Sequence, residues 1–98
     1  MESFLFTHPA TKSIDRPAHV GVVGSGDLEI ILEPNDQATV EVSIRTHVTG
    51  HKATWEAVIK RFFEQHDIAA NVKINDFGAT PGMVAMRLAQ AVEVSSYD

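Results

Sequence analysis

The chain has 98 residues, with 13 acidic and 8 basic side chains for a net charge of −5, and no cysteine. Such a length holds one modest core, a single domain over residues 1–98 with little room for an enclosed active site, and the acidic balance argues against a nucleic-acid surface. A disulfide frame and a cysteine-ligated metal are both excluded.

Ser3 to Thr7 reads as a short edge strand with Phe4 and Phe6 on one face, and Thr11 to Pro17 as a polar, turn-like stretch. Ala18, Val20 and Val22 alternate with His19, Gly21 and Val23 up to Gly24. Leu28, Ile30 and Leu32 alternate with Glu29, Ile31 and Glu33. Period 2 marks both runs as strands, and Gly24 to Asp27 joins them as a hairpin. Pro34-Asn35-Asp36 is a turn. Thr39 to Val48 is the strongest strand, with Val40, Val42, Ile44 and Val48 on one face and Glu41, Ser43, Arg45 and His47 on the other, so one sheet face is expected to be wet.

Period 3.6 then takes over. Trp55, Val58, Ile59, Phe62 and Phe63 form one apolar stripe of a helix over about Ala53 to His66, opposite Lys60, Arg61 and Glu64. Val72 and Ile74 mark a further strand, with Asn71, Lys73 and Asn75 outward. Thr80 is placed to cap a second helix with Pro81 in its first turn, Met83, Val84, Leu88 and Ala91 in its buried stripe, and an end before Ser95. Phe63 and Phe77 are assigned to the core. The order predicts an α+β two-layer sandwich: a mostly antiparallel sheet of four or five strands with two helices on one face. No apolar run reaches membrane-spanning length and the acidic Met1-Glu2-Ser3 start is unlike a signal peptide, so a cytoplasmic location is expected.

The run Val22-Val23-Gly24-Ser25-Gly26-Asp27-Leu28-Glu29 carries the chemistry. Glycines on both sides of Ser25 permit a tight reversal and leave its hydroxyl without a bulky neighbour. No histidine or acid stands at a spacing that would make Ser25 a hydrolytic nucleophile, so it reads as an attachment point. Plain turn chemistry is the other reading of Gly-Ser-Gly. Asp27 can assist an enzyme that loads Ser25, through Mg²⁺, or can bond its local backbone and cap the turn. The Asp76–Gly82 loop, opening a helix at Thr80, offers N–H groups to a phosphate if it folds near the tip, or is a turn with close packing.

Three further matches carry less. Gly21-x-x-Gly24-x-Gly26 precedes a strand, whereas a dinucleotide loop must open a helix. Asp76-Phe77-Gly78 spells a kinase metal triplet without the rest of a kinase. His47 and His51 straddle a strand end and Gly50, and the five histidines read as solvated side chains, with no metal site expected.

Gly24-Ser25-Gly26-Asp27-Leu28-Glu29, followed by Asn75-Asp76-Phe77-Gly78-Ala79-Thr80-Pro81-Gly82, resembles the acyl carrier (δ) subunit family of malonate decarboxylase. The citrate lyase carrier is more distantly similar. It shares the Ser-Gly-Asp step, an Asp-x-Gly-Ala step (Asp76 to Ala79) and an Arg-Leu pair (Arg87-Leu88). The resemblance runs from about His19 to Gln90. Thr80-Pro81-Gly82 fits the malonate family better than the citrate one. In the helical acyl carriers the modified serine opens a helix within Asp-Ser-Leu, whereas here glycines flank it and a strand follows.

The resemblance implies that Ser25 carries 2′-(5″-phosphoribosyl)-3′-dephospho-CoA through a phosphodiester, attached by a phosphoribosyl-dephospho-CoA transferase (the holo-carrier synthase). It implies that the arm is first acetylated and that an acyl-transferase subunit exchanges acetyl for malonyl. A malonyltransferase and decarboxylase subunits are the other implied partners, with no nucleic acid and no membrane, in a malonate-catabolic complex. The carrier itself would be non-catalytic, its arm a solvated tether. The alternatives are a citrate lyase acyl carrier and an unmodified interaction module.

Overall fold

The structure is a computed structural model that describes residues 1–21 and 26–96. Five strands and two helices follow in the order β1 (Glu2–Pro9), β2 (Ala18–Gly21), β3 (Leu28–Pro34), β4 (Thr39–Thr46), α1 (Lys52–Gln65), β5 (Ala70–Asp76) and α2 (Pro81–Ser96). They form the expected α+β sandwich, a five-stranded sheet of order β1-β4-β5-β3-β2. Three of its four neighbouring pairs are antiparallel. The fourth, β4 with β5, is parallel and is joined through α1 as a crossover unit. The β2–β3 pairing, with Ala18 opposite Leu32 and Gly21 opposite Glu29, is the expected hairpin.

Alternation decides which sheet face is covered. Leu28, Ile30, Leu32, Val40, Val42, Ile44, Val72 and Ile74 are almost fully buried on one face. They pack with Trp55, Ile59, Phe62 and Phe63 of α1 and Val84, Leu88 and Ala91 of α2 in one core. Each buried Val, Leu, Ile or Phe side chain here contributes about 1.5–3 kcal/mol relative to exposure. Ser43, Arg45, Asn71 and Lys73 face the open side. Helix α1 lies toward β1, and α2 over β2 and β3. Neither helix is long and apolar enough to cross a membrane.

Several boundaries differ from the sequence reading, each for a local reason. Strand β1 extends to eight residues because it pairs along its whole length with β4. The segment after it is not merely polar turn: Ile14 is buried, Ser13 bridges Ala69, and the Thr11 backbone N–H donates to Asp67 at 2.7 Å. Strand β4 stops at Thr46, whose buried hydroxyl donates to Asp76 Oδ2 at 2.8 Å and accepts the Val48 N–H at 3.1 Å, so Val48 leaves the ladder and is exposed. Helix α1 ends one residue early, with the His66 backbone N–H and ring closing on the Phe62 carbonyl. Helix α2 runs past Ser95, because that buried hydroxyl donates to the Val92 carbonyl at 2.8 Å and needs no other partner.

Candidate functional site

The attachment serine read from the sequence, Ser25, lies with Val22, Val23 and Gly24 outside the described residues, so the site is built from what brackets it. On the β2 side stands Gly21, with φ +87°. A Cβ there would sit 2.1 Å from the Leu28 carbonyl oxygen, so only glycine lets β2 close on β3 at this point. The sequence reading treated Gly21 as one more alternating residue and missed this role. On the β3 side stands Gly26, with φ +78°, a conformation that favours glycine. Its N–H donates to the Phe77 carbonyl at 2.9 Å, and the Phe77 N–H donates to the Asp27 carbonyl at 2.9 Å. The hairpin is thereby tied to the segment after β5.

That segment is organised by Asp76. Asp76 is 2% exposed, and its carboxylate accepts from Thr46 Oγ1, from the Gly78 N–H at 3.3 Å and from the Ala79 N–H at 2.9 Å. Such a carboxylate fixes the turn that launches α2. Thr80 caps the helix as the sequence predicted, accepting the Met83 N–H at 3.2 Å, with Pro81 in the first turn. Gly78, at φ +106°, backs onto Gly26: a Cβ on Gly78 would lie 3.8 Å from the Gly26 backbone. The Asp76–Gly82 loop therefore folds against the hairpin.

Asp27 fastens the base of the hairpin to α2. Its Oδ1 accepts the Leu28 N–H at 2.7 Å, and its Oδ2 pairs with Arg87 Nη2 at 3.0 Å. The Leu28 N–H, then the Arg87 guanidinium, hold the Asp27 carboxyl below the usual carboxylate range. With a guanidinium and a backbone N–H already in place, the carboxylate serves as a structural tie; the Mg²⁺ reading of this residue has the weaker support.

The described part of the first run on which the resemblance rests, Gly26 and Asp27 onward, thus packs against the second. The family model of the malonate decarboxylase delta subunit (MdcD) matches residues 15–95. The chain belongs to that family. Malonate decarboxylase acyl carrier proteins similar to it include that of Pseudomonas fluorescens (strain SBW25), 43% identical over 99 aligned positions covering all of both chains. That of Azotobacter vinelandii (strain DJ / ATCC BAA-1303) is 44% identical over 95% of each. A chain in the crystal structure of a Pseudomonas malonate decarboxylase hetero-tetramer in complex with malonate superposes with a TM-score of 0.91 at 40% identity, covering 96% of this chain and 98% of that one.

In this chain one sequence assignment needs correcting. Phe77 is not core: alternation after Ile74 puts it with Asn75 on the open face, where it is half-buried. Its ring stacks on His47, centroids 4.8 Å apart at 25°, and helps line a shallow cavity of about 220 Å³ with Met1, Arg45 and Asn75. Beside it, Glu29 accepts from Asn75 Nδ2 at 2.9 Å and pairs with His19 Nε2 at 2.8 Å. Asn75, then His19, keep the Glu29 carboxyl below its ordinary range. Among the described residues, no three His, Asp or Glu side chains gather as a metal site. A larger apolar groove of about 590 Å³ runs between α1 and α2, lined by Ala57, Val58, Phe62 and Ala85 rather than by hairpin residues.

Proposed function

We propose that this chain is the acyl carrier subunit of a malonate decarboxylase, with Ser25 as the attachment point of a covalent 2′-(5″-phosphoribosyl)-3′-dephospho-CoA arm. The observation that supports this most is the match, at about 40% identity over whole chains, to proteins named malonate decarboxylase acyl carrier protein. When bound, the arm supplies a thiol that holds acyl groups as thioesters. A long tether keeps such a group at an effective concentration of order mM at successive partner sites.

The chain's own residues build the mount. Asp27 and Arg87 tie the hairpin base to α2, Gly26 supplies the positive φ beside Ser25, and Asp76 sets the loop against which Gly26 rests. These are holding roles, in keeping with a carrier that performs no step itself. Acyl-transferase, malonyltransferase and decarboxylase subunits act on what it delivers, and a phosphoribosyl-dephospho-CoA transferase loads it. The reading places a single-domain subunit in the cytoplasm.

The test is intact mass after co-expression with the transferase. A mass increase equal to the phosphoribosyl-dephospho-CoA group, and uptake of acetyl and then malonyl on it, is expected. An unchanged mass under conditions that load a known carrier would leave only an interaction module. A loaded arm that accepts acetyl but never malonyl would favour a citrate lyase carrier.

A further inference from the structure

Beside the hairpin, on the open sheet face, Arg45, His47, Asn75 and Phe77 line one cavity. Phe77 shares both of its backbone hydrogen bonds with Gly26 and Asp27, and Gly26 is the next residue in the chain after Ser25. Its ring, stacked on the exposed imidazole of His47, presents a π platform in the open-face cavity. Arg45 lines the same cavity. It is exposed, its recorded side-chain contact is the Met1 sulfur at 3.5 Å, and among the described residues no carboxylate lies within ion-pair distance of it. Asn75 gives its amide N–H to Glu29 and lines the cavity too.

The contrast with Arg87 is instructive. That guanidinium is half-buried and committed to Asp27, whereas Arg45 is uncommitted in a chain of net charge −5. A stacked aromatic pair next to a free guanidinium is the donor set for a purine bearing phosphate: the ring stacks on the base, and the planar fork takes phosphate oxygens.

We infer that the cleft of Arg45, His47, Asn75 and Phe77 seats the nucleotide stem of the arm, with the adenine against Phe77 and a phosphate at Arg45. The inference rests on the reading of Ser25 as the attachment point. A 220 Å³ cavity that is open on one side holds a base and not a whole coenzyme. The expectation of a wholly solvated arm is thereby narrowed to its thiol end, which stays free to reach partner subunits while the stem sets the direction in which it leaves the domain.

The experiment compares apo and transferase-loaded full-length chain by intact mass and by NMR. Nuclear Overhauser contacts between the adenine H2 and H8 protons and the Phe77 and His47 rings are expected in the loaded chain. They should be lost in Phe77→Leu and weakened in Arg45→Gln, with the mass increase retained in both variants. Arg45 is exposed, so its replacement leaves the fold intact even if Phe77→Leu destabilises the chain. A loaded chain without those contacts, or with the adenine against Ala57 and Phe62 of the helix groove, would overturn the cleft assignment while leaving the attachment reading standing. A chain that never gains the mass would bring down both.

Discussion

Asp27 and Arg87, 60 positions apart in sequence, meet as a half-buried ion pair at 3.0 Å, and the pair joins the base of the β2–β3 hairpin to the second turn of α2. The contact makes the geometry of the hairpin base a property of the helix as well as of the strands. A change in α2 can thereby shift the hairpin base without touching it.

The pair predicts a signature in acid. The Asp27 carboxyl titrates below its ordinary value of 3.8 in the folded chain, because the Leu28 N–H and Arg87 favour its charged form. A depressed folded value contributes stability that is fully present above the unfolded value and is lost as pH falls through the folded one. The stability gap between wild type and Asp27→Asn is therefore constant near about pH 6 and shrinks below about pH 4. Urea unfolding across that range checks it. A gap that persists unchanged in acid would mean the carboxylate charge has no role. Glu29 and Asp67 are also depressed, so the wild-type curve alone does not isolate the pair.

The two glycines that bracket the tip should respond differently to a methyl group. At Gly26 a Cβ meets open space, so Gly26→Ala costs only the positive φ, about 1–2 kcal/mol. At Gly21 the Cβ would collide with the Leu28 carbonyl, so Gly21→Ala costs more, about 2–3 kcal/mol or above. Denaturant midpoints of the two variants give the order. Loading by the transferase gives the complementary readout: Gly26→Val, with a branched side chain beside Ser25, should load more slowly than Gly26→Ala.

Asp76 and Thr80 separate a buried keystone from an exposed cap. Thr80→Ala loses one N-cap bond and is expected to cost about 1 kcal/mol. Asp76→Ala removes the acceptor of the Gly78 and Ala79 N–H groups and leaves the buried Thr46 hydroxyl only the longer bond to the Val48 carbonyl at 3.3 Å, at a combined cost of about 1–3 kcal/mol. Thermal unfolding should place Asp76→Ala below Thr80→Ala. Similar midpoints would contradict the keystone role.

How legible these features were in the sequence follows from their physics. Strands β4 and β5 and helix α1 announce themselves, since each buries one face and its apolar spacing has a single period. The turn at Asn35 was legible too, as asparagine's own side chain accepts the Gln37 N–H. The parallel pairing of β4 with β5 was not, because alternation within a strand says nothing about the direction of its neighbour. Thr46 and Ser95 set element ends through hydroxyls whose partners are known only once the chain is folded. The hairpin and the Asp76 loop were both singled out as runs, and the resemblance joined them in one family. The bonds that tie them, Gly26 to Phe77 and Asp27 to Arg87, are tertiary and needed the structure. Gly21 gave no sign, since glycine at an alternating position reads the same whether or not a Cβ would fit.

The central claim is that Ser25 carries the arm, and fragmentation of the transferase-loaded chain tests it most directly. Electron-transfer dissociation of the peptide spanning Val22 to Glu29 should place the whole added mass on Ser25. Ser25→Ala should stay at the apo mass while melting close to wild type, since losing one hydroxyl between two glycines is expected to change stability by under about 0.5 kcal/mol. Added mass on another residue, or a Ser25→Ala chain that still loads, would contradict the account.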